Sequence, residues 1–167
     1  FIQIPAGKFL MGTLWDKEHF DYLIRKYTVF IDWFIKEIPQ REIDLQEYEI
    51  SEIPVTFSML KSFLNESKYV IADLNETLQK NVITQSDDLP AYPVNAEVAE
   101  AFCEWLSTNN KKYVFSLPTE SEWEKAARGV DGREFPWGSE TSRPFLNIRG
   151  IGTGQVIDVR HTSRNDS

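Results

Sequence analysis

LPTESEWEKAARG, the stretch Leu117–Gly129, contains the start, the length and the end of one helix. The residue before a proline is kept out of the helical region, so Leu117 ends an extended run. Thr119 and Glu122 have the spacing of a capping box, in which each side chain accepts from the backbone N–H of the other residue. Gly129 suits the left-handed position that follows a helix. The sequence therefore predicts a helix that begins after Thr119 and ends before Gly129.

The same stretch also predicts which helix face is buried. Trp123, Ala126 and Ala127 fall at i, i+3 and i+4 and form one apolar stripe. We expect this stripe to face the core, with the charged residues on the other faces: Glu120, Glu124, Lys125 and Arg128. On this interpretation one core contains Phe102, Trp105, Leu117 and Trp123. Trp123→Ala would then cost about 3–5 kcal/mol, the range for emptying a large aromatic site.

Composition indicates a globular chain and excludes some partners. A 167-residue chain with 41% hydrophobic residues can form a core, so we expect one domain over residues 1–167. Its net charge of −8 argues against nucleic acid, whose phosphates are bound by Lys and Arg. No apolar run approaches the roughly 20 residues of a membrane span. The lone Cys103 fits a reducing compartment, so a cytoplasmic location is expected.

Further elements follow from apolar periodicity and turn residues. We predict a strand, turn and strand over residues 1–10, and another strand over 41–50 with a bulge near Glu47. Helices are expected after the N-cap residues Thr56 and Asn95. Residues 75–89 read as a mobile surface loop, and the remaining extended runs are residues 112–117 and 156–159.

An apolar insertion at about residues 16–38 has the spacing of an amphipathic helix that ends before Pro39. Interfaces centre on buried aromatic anchors. The candidate anchors for a protein partner, or for another domain of the same polypeptide, are Tyr27, Phe30, Trp33 and Phe34. The alternative is that this face packs on its own domain.

Four blocks together resemble the formylglycine-generating enzyme (sulfatase-modifying factor) family. They are IPAGKFLMG at Ile4–Gly12, the run from Pro93 through AFCEWL to Leu106, LPTESEWEKAARG, and FPWG at Phe135–Gly138. The resemblance implies an irregular α+β domain of the C-type-lectin-like fold. In the family a GNVWEW-like block and further core strands follow the position of Ser167, so we expect the domain to be incomplete at its C-terminus.

This sequence lacks the residues that the chemistry of the family requires. Formylglycine-generating enzymes bind copper through two cysteines near the end of the domain, and this sequence has only Cys103, in a helix. The only histidines are His19 and His161, too few for the three-histidine iron site of the related sulfoxide synthases. We expect a non-catalytic recognition or interaction module, within a larger multidomain protein. The alternative is a sulfatase-cysteine oxidoreductase whose copper-binding cysteines lie beyond Ser167.

The resemblance also implies a structural calcium site. In the family an Asn-Ile pair after the PWG block gives calcium a side-chain oxygen and a backbone carbonyl, and Asn147-Ile148 stands in that place. Oxygen ligands suit this ion. The alternative is that Asn147 caps a turn.

Overall fold

The computed structural model describes residues 1–14, 16–18, 21, 37–70, 74–133, 135–138 and 156–159. The chain divides into two compact units, which are described one at a time. The first unit contains residues 1–50 and 118–141, and the second contains residues 51–117 and 142–167.

The described residues contain both strands and helices, in keeping with the predicted α+β class. The strands are β1 (Ile2–Ile4), β2 (Gly7–Met11), β3 (Arg41–Leu45) and β4 (Tyr48–Ile50). The helices are α1 (Phe57–Glu66), α2 (Glu76–Thr84), α3 (Ala96–Asn109) and α4 (Glu120–Arg128).

In the first unit, β1 pairs with β4 and β2 pairs with β3, both antiparallel. Ile4 lies opposite Tyr48, and Gly7 lies opposite Leu45. Two residues separate the sheets on each side, Pro5-Ala6 and Gln46-Glu47, so the register is the same before and after the break. The four strands are therefore one long antiparallel pair with a single interruption.

This pairing corrects two predictions. The run over residues 1–10 is not a hairpin, because β1 and β2 continue in one direction and each pairs with a later strand. The bulge near Glu47 was also wrong, since a bulge would add a residue to one side and shift the register. Pro5 accounts for the interruption, because a proline has no N–H for the ladder.

The second unit is built on α1, α2 and α3. Thr56, Asn75 and Asn95 are their N-caps, and each side chain accepts a hydrogen bond from the backbone N–H three residues later. The predicted caps at Thr56 and Asn95 are confirmed. The helix at residues 76–84 contradicts the predicted surface loop.

One hydrophobic cluster joins the three helices. Its buried members are Phe57, Leu60, Phe63, Leu74, Leu78, Val82, Val98 and Phe102. The loop prediction failed because α2 has few apolar residues, yet Leu78 and Val82 stand one helical turn apart and both enter the core. Asn81, on the same helix, is buried and donates to the Tyr92 carbonyl at 2.9 Å.

Neither of the last two predicted strands is found. Residues 112–117 and residues 156–159 belong to neither sheet. Most of the predicted insertion helix over residues 16–38 lies outside the described residues, so it stays a prediction. The expectation of one domain over residues 1–167 also stays untested.

Candidate functional site

The buried face of α4 is polar. Lys125 is only 3% exposed, and its Nζ donates to the carbonyls of Pro5 and Gly7, at 2.8 Å each. The Pro5 carbonyl lies in the interruption between β1 and β2, and the Gly7 carbonyl lies at the start of β2, so the ammonium occupies the place where the ladder is broken. The Phe9 ring centroid lies 6.0 Å from the same nitrogen, within the range of a cation–π contact. Lys125 thus ties α4 to the strands through hydrogen bonds to backbone.

A second set of contacts surrounds Gly12. The backbone N–H of Gly12 donates to Glu124 Oε1 at 2.7 Å, and Arg128 pairs with the same carboxylate. Arg128 also donates to the carbonyls of Gly12 and Gly132. The side chains of Glu124 and Arg128 are each about 15% exposed, so this ion pair is better shielded from solvent than an ordinary surface ion pair. Gly12 itself has a φ of +84°, and a β-carbon there would fall against the Glu37 carbonyl.

Tyr48, on β4, also contacts α4. Its hydroxyl donates to the Glu122 carbonyl at 2.5 Å, and Glu122 also forms the predicted capping box with Thr119. Burial, followed by the charge of Glu122, raises the pKa of Tyr48. The capping box and the positive φ of Gly129 are both confirmed.

The prediction for Trp123 was wrong. Trp123 is 61% exposed and Leu117 is 42% exposed, whereas Phe102 and Trp105 do lie in or against the core of the second unit. Lys125 is two positions from Trp123 and therefore on nearly the opposite side of the helix. The physical reason for the reversal is that Lys125 satisfies two backbone carbonyls, a role that an apolar side chain cannot take.

Cys103 lies on α3 and is partly buried. Burial, with a smaller contribution from the charge of Glu100, raises the pKa of its thiol. The thiolate is the nucleophile and the metal ligand, so this environment opposes the reactive form. The backbone carbonyl of Cys103 accepts from the Ser107 hydroxyl at 2.9 Å. The residue has the surroundings of a structural cysteine.

Ser107 also contacts Phe115, which lies beyond the end of α3. Its Oγ accepts from the Phe115 N–H at 2.8 Å and approaches the Phe115 carbonyl at 3.2 Å. Val114, the preceding residue, is 92% exposed. Ser107 therefore ties the residues after α3 to that helix, and Val114 beside them presents an apolar side chain to solvent.

The residues predicted to bind a partner or calcium are outside the described part of the chain. The four insertion aromatics and the Asn147-Ile148 pair all lie there, so the partner-binding and calcium predictions stay predictions. Within the described residues no three His, Cys, Asp or Glu side chains come together as a metal site. A search of the same residues found no helix long and apolar enough to cross a membrane.

Sequence reasoning missed the polar role of α4. A signal was present, because Glu124 and Arg128 are spaced i, i+4 and Lys125 directly follows Glu124. This pattern is common on solvent-facing helices, so charge spacing alone could not mark these residues as buried. The partners, which are backbone carbonyls and an N–H far away in sequence, are not visible in the pattern.

Comparison with known proteins agrees with the resemblance in the sequence. Residues 1–165 match the model of the sulfatase-modifying factor enzyme 1-like domain. The chain is 27% identical to inactive C-alpha-formylglycine-generating enzyme 2 of Bos taurus, over 88% of the chain and 55% of that protein. For the Mus musculus protein of the same name the identity is 28%, over 88% and 53%.

A third relative has an enzymatic name. Hercynine oxygenase of Mycolicibacterium smegmatis is 25% identical over 89% of the chain and 37% of its own length. The chain thus spans about half the length of the first two relatives, and less of the third. The α+β class is as predicted, and the matched domain is consistent with a C-type-lectin-like fold. Because the family match covers nearly every residue, the chain belongs to the sulfatase-modifying factor enzyme 1-like domain family.

Proposed function

We propose that the chain is a non-catalytic protein-interaction module of this family, working as part of a larger multidomain protein. The observation that carries the proposal is that the sequence contains a single cysteine. A copper-dependent cysteine oxidation needs soft thiolate ligands that converge on one metal ion, and Cys103 is the single cysteine in the sequence. The names of two relatives, which call those proteins inactive, support the same conclusion.

The position of Cys103 adds to this proposal. It is on the third helix of the second unit, between the buried Phe102 and the exposed Glu104, and its pKa is raised. A catalytic thiol is expected in the opposite environment, near positive charge and with a lowered pKa. Cys103 therefore fits a packing role.

A thiol-labelling experiment tests that role. We expect Cys103 in the native chain to react with a maleimide or disulfide reagent more slowly at neutral pH than in urea, because both its raised pKa and its partial burial oppose attack. The rate in the native chain should also keep rising with pH above the usual range of a free thiol. The matched control is Cys103→Ser, which should show no labelling.

The opposite result would remove the main support for the proposal. Labelling in the native state that is faster than in urea would mean that folding activates the thiol. Cys103 would then have to be reconsidered as a reactive group.

The enzymatic alternative places the copper-binding cysteines beyond Ser167. One of the similar proteins is named as an oxygenase, and that name is the support for this alternative. Reading the sequence that follows Ser167 in the gene distinguishes the two functions. A pair of cysteines a few residues apart would favour the enzyme.

The aromatic insertion remains our sequence-based candidate for a partner contact. In the proposed module, Tyr27, Phe30, Trp33 and Phe34 act as anchors, because interfaces are enriched in buried aromatic residues. Replacing Phe30 and Phe34 together with Ser should then abolish co-purification with the full-length assembly while the thermal melt of the isolated chain stays unchanged. If the variant still assembles, the contact lies elsewhere; a collapsed melt would instead assign the aromatics to the core.

A further inference from the structure

Asp131 and Gly132 lie in the turn that follows α4, over residues 129–132. They form the only Asp-Gly pair in the sequence. An Asp-Gly pair favours succinimide formation, because glycine has no side chain to hinder attack by its own nitrogen on the aspartyl carboxyl group. Asp131 is exposed, so water can reach that group. The fate of this pair therefore depends on the contacts that hold the turn.

Succinimide formation is a loss of water within the chain. The Gly132 nitrogen attacks Cγ of Asp131, a C–N bond forms, and the nitrogen loses its proton as one carboxyl oxygen leaves as water. Water then opens the ring at either carbonyl. Opening at Cγ restores aspartate, whereas opening at the former backbone carbonyl gives isoaspartate, in which the chain runs through the β-carbon. The carboxylic acid is the reactive form, because a carboxylate is a poor electrophile.

Arg133 holds both oxygens of the Asp131 carboxylate. Its Nε donates to Oδ1 at 2.8 Å and its Nη2 donates to Oδ2 at 3.0 Å, which is the two-point contact typical of arginine and carboxylate. The hydrogen bonds from Arg133 lower the pKa of the Asp131 carboxyl, and this decreases the amount of the reactive acid. The oxygen that leaves as water would also have to break its hydrogen bond. A further contact, from Nη1 to the Pro136 carbonyl at 3.3 Å, fixes the guanidinium.

We propose that Asp131 is a site of isoaspartate formation whose rate Arg133 holds down, and that the rearrangement loosens the contacts of α4 with the strands. Arg133 is a positioning residue here, because it takes no part in the new bond and acts only by keeping both carboxylate oxygens occupied. The inference concerns a modification of the chain itself, so it goes beyond the proposed interaction role.

The second half of the proposal follows from the close packing of Gly132. A β-carbon at this position would lie 2.8 Å from Nε2 of Gln40 and 3.1 Å from Cβ of Leu10. Gly132 also has a φ of +71°, in the left-handed region. Isoaspartate adds one atom to the backbone immediately before this glycine. The chain therefore has no room to absorb the extra atom without moving Gly132.

That movement would break contacts of Arg128, the last residue of α4. Its guanidinium donates to the Gly132 carbonyl at 3.0 Å and also to the Arg133 carbonyl. The same group donates to the Gly12 carbonyl at 3.3 Å and pairs with Glu124, whose carboxylate accepts from the Gly12 N–H. A displaced turn therefore takes away two of the acceptors that hold Arg128 beside the end of β2.

The rate of isoaspartate formation tests the first half. Mass spectrometry with electron-transfer fragmentation measures the isoaspartate content at residue 131 after incubation of the folded chain at mildly acidic pH. Arg133→Ala should form isoaspartate at least about threefold faster than the wild type, because the two-point contact is lost. In urea the two chains should react at the same rate. Asp131→Glu is the matched control and should form no such product, because its ring would need six members and closes slowly.

A comparison within the wild type does not depend on how the variant folds. The native chain should form isoaspartate more slowly than the same chain in urea, and the exposed Asp44, which precedes a leucine, should stay unchanged in both. Equal rates in the native and unfolded wild type would overturn the proposal. An Arg133→Ala variant with a native circular dichroism spectrum and the wild-type rate would do the same.

The thermal melt of the rearranged chain tests the second half. The isoaspartyl form, separated from the aspartyl form by ion exchange, should melt at least about 2 °C lower, as expected for the loss of a few hydrogen bonds in a chain of this size. Identical melts of the two forms would show that the turn absorbs the extra atom and would contradict the predicted effect on α4.

Discussion

Replacing Lys125 with methionine is expected to destabilise the chain by about 2–6 kcal/mol, since it leaves two backbone carbonyls without the hydrogen bond that the ammonium donates, at roughly 1–3 kcal/mol each. Methionine keeps most of the volume of the lysine stem and removes the ammonium that bonds the Pro5 and Gly7 carbonyls. Lys125 is 3% exposed, so water has little access to replace those bonds. Urea unfolding of the two proteins measures the difference.

The control for this prediction is the neighbouring tryptophan. Trp123→Ala should change the free energy of unfolding by less than about 0.5 kcal/mol, the usual effect of a surface substitution. If Trp123→Ala costs more than Lys125→Met, then α4 presents its apolar stripe to the core and the polar contacts described above are not what hold it.

Phe63→Ala should produce the largest loss in the second unit, about 3–5 kcal/mol, because it removes a large buried ring and leaves a cavity. Phe63 is 1% exposed, and its ring centroid lies within 6 Å of those of Tyr69, Phe102 and Trp105. The substitution therefore removes both the buried area and the edge-on ring contacts. Thermal and urea melts give the size of the loss.

Ile83→Ala is the matched control for the core, because Ile83 is on α2 but is 72% exposed. Its effect should stay below about 0.5 kcal/mol. Equal losses for Phe63→Ala and Ile83→Ala would contradict the assignment of the core.

Local signals were sufficient to place helix ends. Thr56, Asn95, Thr119 and Gly129 act within a few residues of their own positions, so capping chemistry can be read directly from sequence. The sequence also placed Phe102 and Trp105 of α3 in a core, and both lie in or against the core of the second unit.

Long-range contacts were the part that sequence could not supply. The facing of α4 depends on carbonyls of Pro5 and Gly7, which are more than one hundred residues away. The pairing of β1 with β4 likewise needs a partner strand across the whole insertion. Apolar periodicity predicts that the tryptophan of α4 is buried. It does not show that backbone acceptors require a lysine on the buried face instead.

For the candidate site, too, the sequence reports local features but not the contacts made by distant residues. The sequence shows that Cys103 is a single cysteine in a helix, whereas the raised pKa of its thiol depends on the surrounding structure. Residues 112–117 were predicted as a strand, yet they belong to neither sheet. Whether a partner strand is present depends on the rest of the molecule, which residue preferences do not report.

The most direct test of the central proposal is the oxidation of a sulfatase-type cysteine peptide by the purified chain with added copper and oxygen, followed by mass spectrometry. We expect no conversion of the peptide cysteine to formylglycine above the level seen with Cys103→Ser, because a single hindered thiol does not form the required metal site. Turnover by the wild-type chain that disappears in Cys103→Ser would contradict the proposal and make this domain an enzyme.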